Sequence, residues 1–237
     1  MVRVEVLYSE YMNLYGDNGN IKYLKQCLPK SVEFIYTDLN DKPKFMTHKI
    51  NMLYLGPCTE EHQLEIIEKL KPYKEKIKKL INDGVVILAI GNALEIFGKY
   101  IEKTDGKMVK ALGIFNVYTK RVKDYRYNEL CLGVTNDGFE IVGYKNQMSH
   151  LYGKDGKYFQ DMFLGTGRNP ETRLEGIMEN NFIGTYILGP ILPLNPYFTE
   201  SLLIKMEIKS PKLAFKETAI KAYEVRLNEY RKLIKNK

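Results

Sequence analysis

The sequence has 237 residues, 44% of them hydrophobic, and a formal net charge of +7; that apolar content supports one large or two small domains with no need of disulfides to hold them. Its three cysteines, Cys27, Cys58 and Cys131, are widely spaced, with no CxxC pair and no nearby pair of histidines. This disfavours a disulfide framework and a structural zinc site and reads as a reduced, cytoplasmic protein; the absence of any run of about 18 apolar residues or of a signal-peptide pattern predicts no membrane span.

Val2 to Tyr8, VRVEVLY, alternates and then runs apolar, as a strand entering a sheet does, and SEYMNLYGDNGNIKYLKQCL after it passes from turn residues into a helical period. SVEFIYTDL predicts a second strand and INMLYLGPC a third, ending in Gly56-Pro57. Glu60 to Asn82 carries a helical apolar face at Leu64, Ile67, Ile77 and Leu80, and Pro72 within it predicts a kink or the start of a second helix. Val85 to Gly98, VVILAIGNALEIFG, predicts a buried strand that runs through a small-residue turn into a helix. The later segments ELCLGVT, FEIVGYKN and FIGTYIL are shorter and separated by turns such as Asn136-Asp137-Gly138, which predicts an antiparallel extension before the last core strand.

Lys212 to Lys237 predicts a terminal helix, with Leu213, Ala219, Ala222, Val225, Leu227 and Leu233 only loosely periodic. It holds eight Lys and Arg against three Asp and Glu, which leaves the preceding body close to neutral. A solvated helix face accounts for such a charge run, with a nucleic-acid or acidic-protein patch as the alternative. Strands alternating with helices predict an α/β fold, a mostly parallel sheet covered by helices on both faces, with ligands at the strands' carboxyl ends. Residues 1–210 are expected to form one domain and 211–237 a basic helix packed on it or extending from it.

The turn in VVILAIGNALEIFG raises the question of chemistry. A sharp strand-to-helix turn lifts one side chain clear of a sheet, and the backbone N–H groups after it stabilise negative charge. Here the apex reads Ile90-Gly91-Asn92-Ala93, with no Cys, Ser or Thr. Glycine takes φ > 0 without steric penalty, so Gly91 preserves the shape of such a turn while removing its side chain. Taken alone, the stretch reads as an ordinary βα turn.

It does not stand alone. Tyr8 to Cys27, with Asn13, Tyr15, Gly16, Asp17, Gly19 and Asn20, Leu55-Gly56-Pro57-Cys58, LAIGNALEIFG, and Gly184-Thr185-Tyr186-Ile187-Leu188-Gly189-Pro190 followed by Leu192-Pro193 and Asn195-Pro196 together resemble one family. It is the class I glutamine amidotransferases of the cobyric acid synthase type, and within it the branch of glutaminase subunits of lipid II isoglutaminyl synthases. The likeness spans roughly residues 2 to 200. It implies a flavodoxin-like three-layer version of the α/β fold, no cofactor and no metal, and a partner of the Mur-ligase-like synthetase type.

In active relatives an elbow cysteine attacks the glutamine amide, a histidine serves as base and then acid, and ammonia passes to the synthetase. Carried over by position, the cysteine falls on Gly91 and the histidine on Leu188, and the two glycines after the nucleophile fall on Asn92 and Ala93. The oxyanion loop keeps Gly56, but Pro57 has no N–H to donate. The resemblance therefore implies a degenerate, non-hydrolysing subunit, with no catalytic residue intact, that either holds its partner's shape or binds a glutamine, amide or amino-acid ligand without cleavage.

Cys58, with His62 four residues on, is the candidate for a relocated nucleophile; a packed thiol and a solvated helix-cap histidine are the alternatives. His48 and His150 have no nucleophile at motif spacing. Lys145-Asn146-Gln147 stands where relatives carry an asparagine-histidine pair, and an arginine that guards the relatives' site matches Arg121 or Arg126, which spacing does not decide. Gly56, Pro57, Asn92, Ala93, Arg121, Arg126, Asn146 and Gln147 are the expected binding positions. Gly165-Thr166-Gly167-Arg168-Asn169 with Glu175-Gly176 is similar to the family's loop before the histidine strand. No phosphate-loop motif and no RNA-binding aromatic pattern is present, so the 18 Tyr and 10 Phe are read as packing residues. Three functions follow: a silent amidotransferase-like subunit docked on a synthetase, an amidohydrolase acting through Cys58, and an adaptor that binds nucleic acid or an acidic protein through its basic tail.

Overall fold

The computed structural model describes residues 1–123, 125–153 and 157–235. Its strands, in chain order, are β1 (Arg3–Leu7), β2 (Glu33–Thr37), β3 (Met52–Leu55), β4 (Val86–Ile90), β5 (Tyr100–Glu102), β6 (Met108–Lys110) and β7 (Val117–Arg121). They continue with β8 (Tyr127–Thr135), β9 (Glu140–Gln147), β10 (Ser149–Gly153), β11 (Gln160–Leu164), β12 (Leu174–Glu175), β13 (Ile177–Glu179) and β14 (Phe182–Thr185). The α-helices are α1 (Gly19–Cys27), α2 (Glu60–Leu70), α3 (Lys74–Asn82), α4 (Ile191–Leu194), α5 (Pro196–Lys205) and α6 (Lys216–Lys235).

The central sheet runs β13-β14-β4-β3-β1-β2, parallel throughout except for β13 at one edge. Its middle strands read as continuous apolar runs because both faces are covered. In β3, Leu53 and Leu55 face the layer that holds Ile66, Ile67 and Ile77 of α2 and α3, whereas Met52 and Tyr54 face Ile21 and Leu24 of α1 and Leu202 and Leu203 of α5. The period of two thus divides the core into two layers on either side of one sheet, the α/β arrangement expected from the alternation of strands and helices.

Pro72 starts a second helix. The Thr59 side chain caps α2, which carries Glu60 and Glu61 in its first turn, and Pro72 opens a single 3-10 turn before α3 begins. The helix expected after the Gly91 turn is instead a 3-10 run, Gly91–Phe97. It stops there because its last carbonyls are taken by a neighbouring loop: Leu112 N–H donates to Ile96 O, and Ile114 and Phe115 N–H to Phe97 O.

The antiparallel extension is larger than the sequence suggested. Two further four-stranded sheets, β10-β7-β5-β6 and β12-β11-β8-β9, stand beside the central one, antiparallel except for the parallel pair β5 and β7. Gly138 forms the expected turn between β8 and β9 with φ +84. The terminal helix starts at Lys216 rather than Lys212, and Asn236 and Lys237 lie outside the described residues. Its buried face is Tyr223 and Leu227, with Tyr230 and Ile234 half-buried, seated on Leu132, Val142 and Leu164 of the third sheet. Val225 and Leu233, read as part of the apolar face, are 58% and 43% exposed. Two tyrosines carry the true stripe: Tyr223 and Tyr230 bury their rings while their hydroxyls donate to the Glu140 and Gly143 carbonyls.

Candidate functional site

Three chain crossings meet at the carboxyl edge of the central sheet. Gly91 follows β4 with φ +61, Pro57 follows β3, and Leu188 lies just beyond β14, where its backbone exchanges hydrogen bonds with Tyr144. A methyl group built on Gly91 would stand 2.8 Å from Pro57 Cβ and 3.5 Å from Leu188 Cδ2. The expected apex is therefore a left-handed glycine, with the leucine facing it and the proline closed over it. These residues form the apolar floor of a cavity of about 330 Å³, a size typical of small-ligand sites.

Asn92 ties the turn to the loop. Its Oδ1 accepts the Cys58 N–H at 3.0 Å and its Nδ2 donates to the Cys58 carbonyl at 2.8 Å. An oxyanion site needs free backbone donors at this place. Pro57 has none, and the donor of Cys58 is already engaged.

A buried polar network forms the wall. Glu95, 1% exposed, accepts hydrogen bonds from Gln63 Nε2 at 2.8 Å, from Tyr186 OH at 3.0 Å and from Ser149 Oγ. Desolvation raises the pKa of its carboxyl, opposed by those three donors and by Arg121. Gln63 also accepts from Arg121 Nη2 at 2.8 Å, and the same nitrogen reaches the Glu60 carbonyl at 3.2 Å. Arg121 lies at the end of β7 and Gln147 at the end of β9. Three atoms on this wall have no hydrogen-bond partner: Arg121 Nε, Asn146 Oδ1 and Gln147 Oε1.

The structure brings Gly91, Asn92, Pro57, Leu188, Cys58, Arg121, Asn146 and Gln147 to one cavity and leaves the other expected residues outside it. Gly56 packs instead on the Met12 carbonyl and Asp17, Ala93 is buried in the core, and Arg126 is exposed, with Nη2 against Met148 Sδ. Cys58 is 1% exposed, and burial pushes its thiol up to about 12. His62 does not meet it: the imidazole lies 3.0 Å from Thr59 Oγ1 and packs on the Tyr11 ring. His150 sits between Tyr127 and Tyr152 with its pKa lowered by burial, and His48 contacts Thr47. The glycine-rich loop does not line the cavity, and its Thr166 and Gly167 carbonyls accept from Lys145 Nζ.

Gln63, Glu95, Ser149 and Tyr186 were missed as site residues. Glu95 carried the one available signal, a carboxylate inside the apolar run LEIF, four residues after the apex. Among the described residues, no group of three or more His, Cys, Asp or Glu could hold a metal ion.

The N-terminal motif acts as a brace. Asp17, 2% exposed, accepts from Tyr54 OH and from Asn20 Nδ2 at 3.1 Å, and burial pushes its carboxyl up to about 6. The Asn20 Oδ1 accepts the Leu192 N–H at 2.9 Å, joining this motif to the one that carries Leu188. Gly19 is required at the same junction, since a methyl group there would meet Pro190 Cγ at 2.5 Å.

A parallel sheet with a sharp glycine turn at its carboxyl edge, faced by a segment from its last parallel strand, is the frame of an amidotransferase. Residues 3–196 match the CobB/CobQ-like glutamine amidotransferase domain, and the chain belongs to that family. It is 30% identical over 198 residues to the lipid II isoglutaminyl synthase (glutamine-hydrolyzing) subunit GatD of Staphylococcus aureus strain N315, covering 83% of this chain and 81% of that protein. It is also 30% identical over 195 residues to GatD of Streptococcus pneumoniae strain R6, covering 80% of this chain and 74% of that protein. The fold matches a glutamine amidotransferase crystal structure with a TM-score of 0.57 at 12% identity, over 86% of this chain and 99% of the other. A second, from Thermotoga maritima, matches with a TM-score of 0.56 at 13% identity, over 99% and 97%. Among the described residues, no helix is long and apolar enough to cross a membrane.

Proposed function

We propose that this chain is a catalytically silent amidotransferase subunit, which keeps the glutaminase frame as a docking and ligand-binding module for a Mur-ligase-like, amide-forming synthetase. The supporting observation is the closed apex. Gly91 supplies no nucleophile, Pro57 fills the space its side chain would need, Leu188 supplies no base, and Asn92 occupies the Cys58 N–H. Glutamine hydrolysis needs a thiolate, a proton carrier and free oxyanion donors, and each has a substitute here that cannot perform it. Cys58 does not restore the chemistry: a thiol held near 12 and away from His62 is almost wholly protonated at neutral pH.

The likeness to GatD subunits supports the synthetase as the partner class. The test is to assemble the chain with a Mur-ligase-like synthetase and to supply either glutamine or ammonium chloride. A stable complex that forms its amide product from ammonium but not from glutamine is expected. Glutamine-driven synthesis, or no complex by sedimentation, contradicts the proposal.

A further inference from the structure

Resting on the reading that this chain docks a synthetase, we propose that the surface receiving that partner is the outer face of the second sheet, and that the partner meets it with an acidic patch. The sheet β10-β7-β5-β6 turns Ile101, Val117, Thr119 and Leu151 into the core, so the residues that alternate with them point outward. Register sets these in two rows. The first reads Lys110, Tyr100, Tyr118 and Tyr152 across the four strands, and the second Met108, Glu102, Lys120 and His150.

The solvent-facing side of such a sheet is ordinarily polar, whereas aromatic rings lead this one. Tyr118 stacks between Tyr100 and Tyr152, with ring centroids 5.1 and 5.6 Å away, and all three are half-buried. His150 continues the line to Tyr127 and on to Tyr125, which is 58% exposed. Cross-strand stacking supports the sheet, but it accounts for neither the exposure of Tyr125 and Met108 nor the charge around the rings. Residues 99–127 hold eight Lys and Arg against three Asp and Glu. Glu102 pairs with Lys120 at 3.5 Å and Asp105 with Lys107 at 3.4 Å, which leaves Lys99, Lys103 and Lys110 without an ion pair among the described residues.

A surplus of positive charge selects an acidic surface as its complement. Tyrosine adds a large, rigid contact area with a polar tip, the reason it is enriched where proteins meet. Single-stranded nucleic acid also binds basic aromatic surfaces, but its bases stack on open ring faces. Here Tyr118 lies at interplanar angles of 16° and 20° to its two neighbours, so both of its faces are taken and a protein partner is favoured. The face also runs into the cavity. Arg121 at the end of β7, Ser149 at the start of β10 and Thr104 in the turn after β5 all line it, so a synthetase seated on this sheet lies beside the candidate site.

Isothermal titration of the full chain with the Mur-ligase-like synthetase, in about 50 mM and about 500 mM salt, tests the inference on three variants. Tyr118→Ala is expected to weaken the complex roughly tenfold or more at either salt. The double variant Lys110→Glu with Lys120→Glu should weaken it roughly tenfold in low salt and by much less in high salt. It alters only exposed side chains, so it keeps the test open if Tyr118→Ala does not fold. The same charge change on α6, Lys221→Glu with Lys232→Glu, should leave the affinity within about twofold of the parent. No complex with the parent chain contradicts the docking reading and this inference with it. A parent complex that both face variants leave within about twofold, or that the α6 variant weakens as much as they do, overturns this surface alone. Binding of a single-stranded oligonucleotide that the face variants abolish overturns the choice of an acidic protein.

Discussion

Replacing Gly91 by alanine tests whether the apex is closed by Pro57. The added methyl group lands 2.8 Å from Pro57 Cβ, an atom fixed next to the backbone that cannot swing aside, and does so at φ +61. The left-handed backbone costs an L-residue about 1–2 kcal/mol, and forcing a methyl group into a filled site adds about 1–3 kcal/mol. Gly91→Ala is therefore expected to destabilise the chain by about 2–5 kcal/mol, read as a lower midpoint in urea with an unchanged slope. In a Pro57→Gly background the clash is gone and only the backbone term remains, about 1–2 kcal/mol. The two substitutions should then couple by roughly 1–3 kcal/mol. Additivity within about 0.5 kcal/mol would refute the closure of the apex by Pro57.

Three further expectations follow from the same geometry. Asn92→Ala removes both hydrogen bonds to Cys58 and leaves a backbone N–H without its partner, and should cost about 1–3 kcal/mol in urea denaturation; an effect below about 0.3 kcal/mol contradicts the clasp. Asp17 is raised by burial from 3.8 to about 6, so its contribution is fully present below pH 3.8 and is lost as pH rises through 6. The loss amounts to roughly 3 kcal/mol, and Asp17→Asn should remove that part of the decline; stability curves for variant and parent that run parallel from pH 4 to 7 contradict it. On α6, Leu227→Ala should cost about 2–3 kcal/mol, whereas Val225→Ala, at a position 58% exposed, should change stability by less than about 0.5 kcal/mol; equal effects contradict the packing of the helix on the third sheet.

The readability of this chain followed the range of the interactions involved. Gly91, Pro57 and Leu188 were placed through the resemblance to the amidotransferase family, and they meet because parallel strands bring their carboxyl ends to one edge. The central strands were legible because burial on both faces makes them uniformly apolar. Glu95 was not, since its partners Gln63, Ser149 and Tyr186 lie 32, 54 and 91 residues away in the chain. Strands such as β5, β6 and β12 hold only two or three residues, too few for a period to show. The stripe on α6 was misread because only its aliphatic residues were taken for the apolar face, although Tyr223 and Tyr230 supply its buried rings.

Position also separated Arg121 from Arg126, which spacing could not. Arg121 ends β7, where Gln63 and the Glu60 carbonyl hold it against the cavity, while Arg126 precedes β8 and stays exposed. The same comparison explains why Cys58 and His62 do not form a pair. Cys58 belongs to the loop after β3, whereas His62 lies in the first turn of α2, where Thr59 engages both its backbone N–H and its ring.

The central claim is that the frame persists while the hydrolytic chemistry has left it. Ammonia release from glutamine by the purified chain, followed at neutral pH alongside Cys58→Ala, measures this most directly. No release above buffer is expected for either protein, whereas steady release by the parent that disappears in Cys58→Ala contradicts the claim.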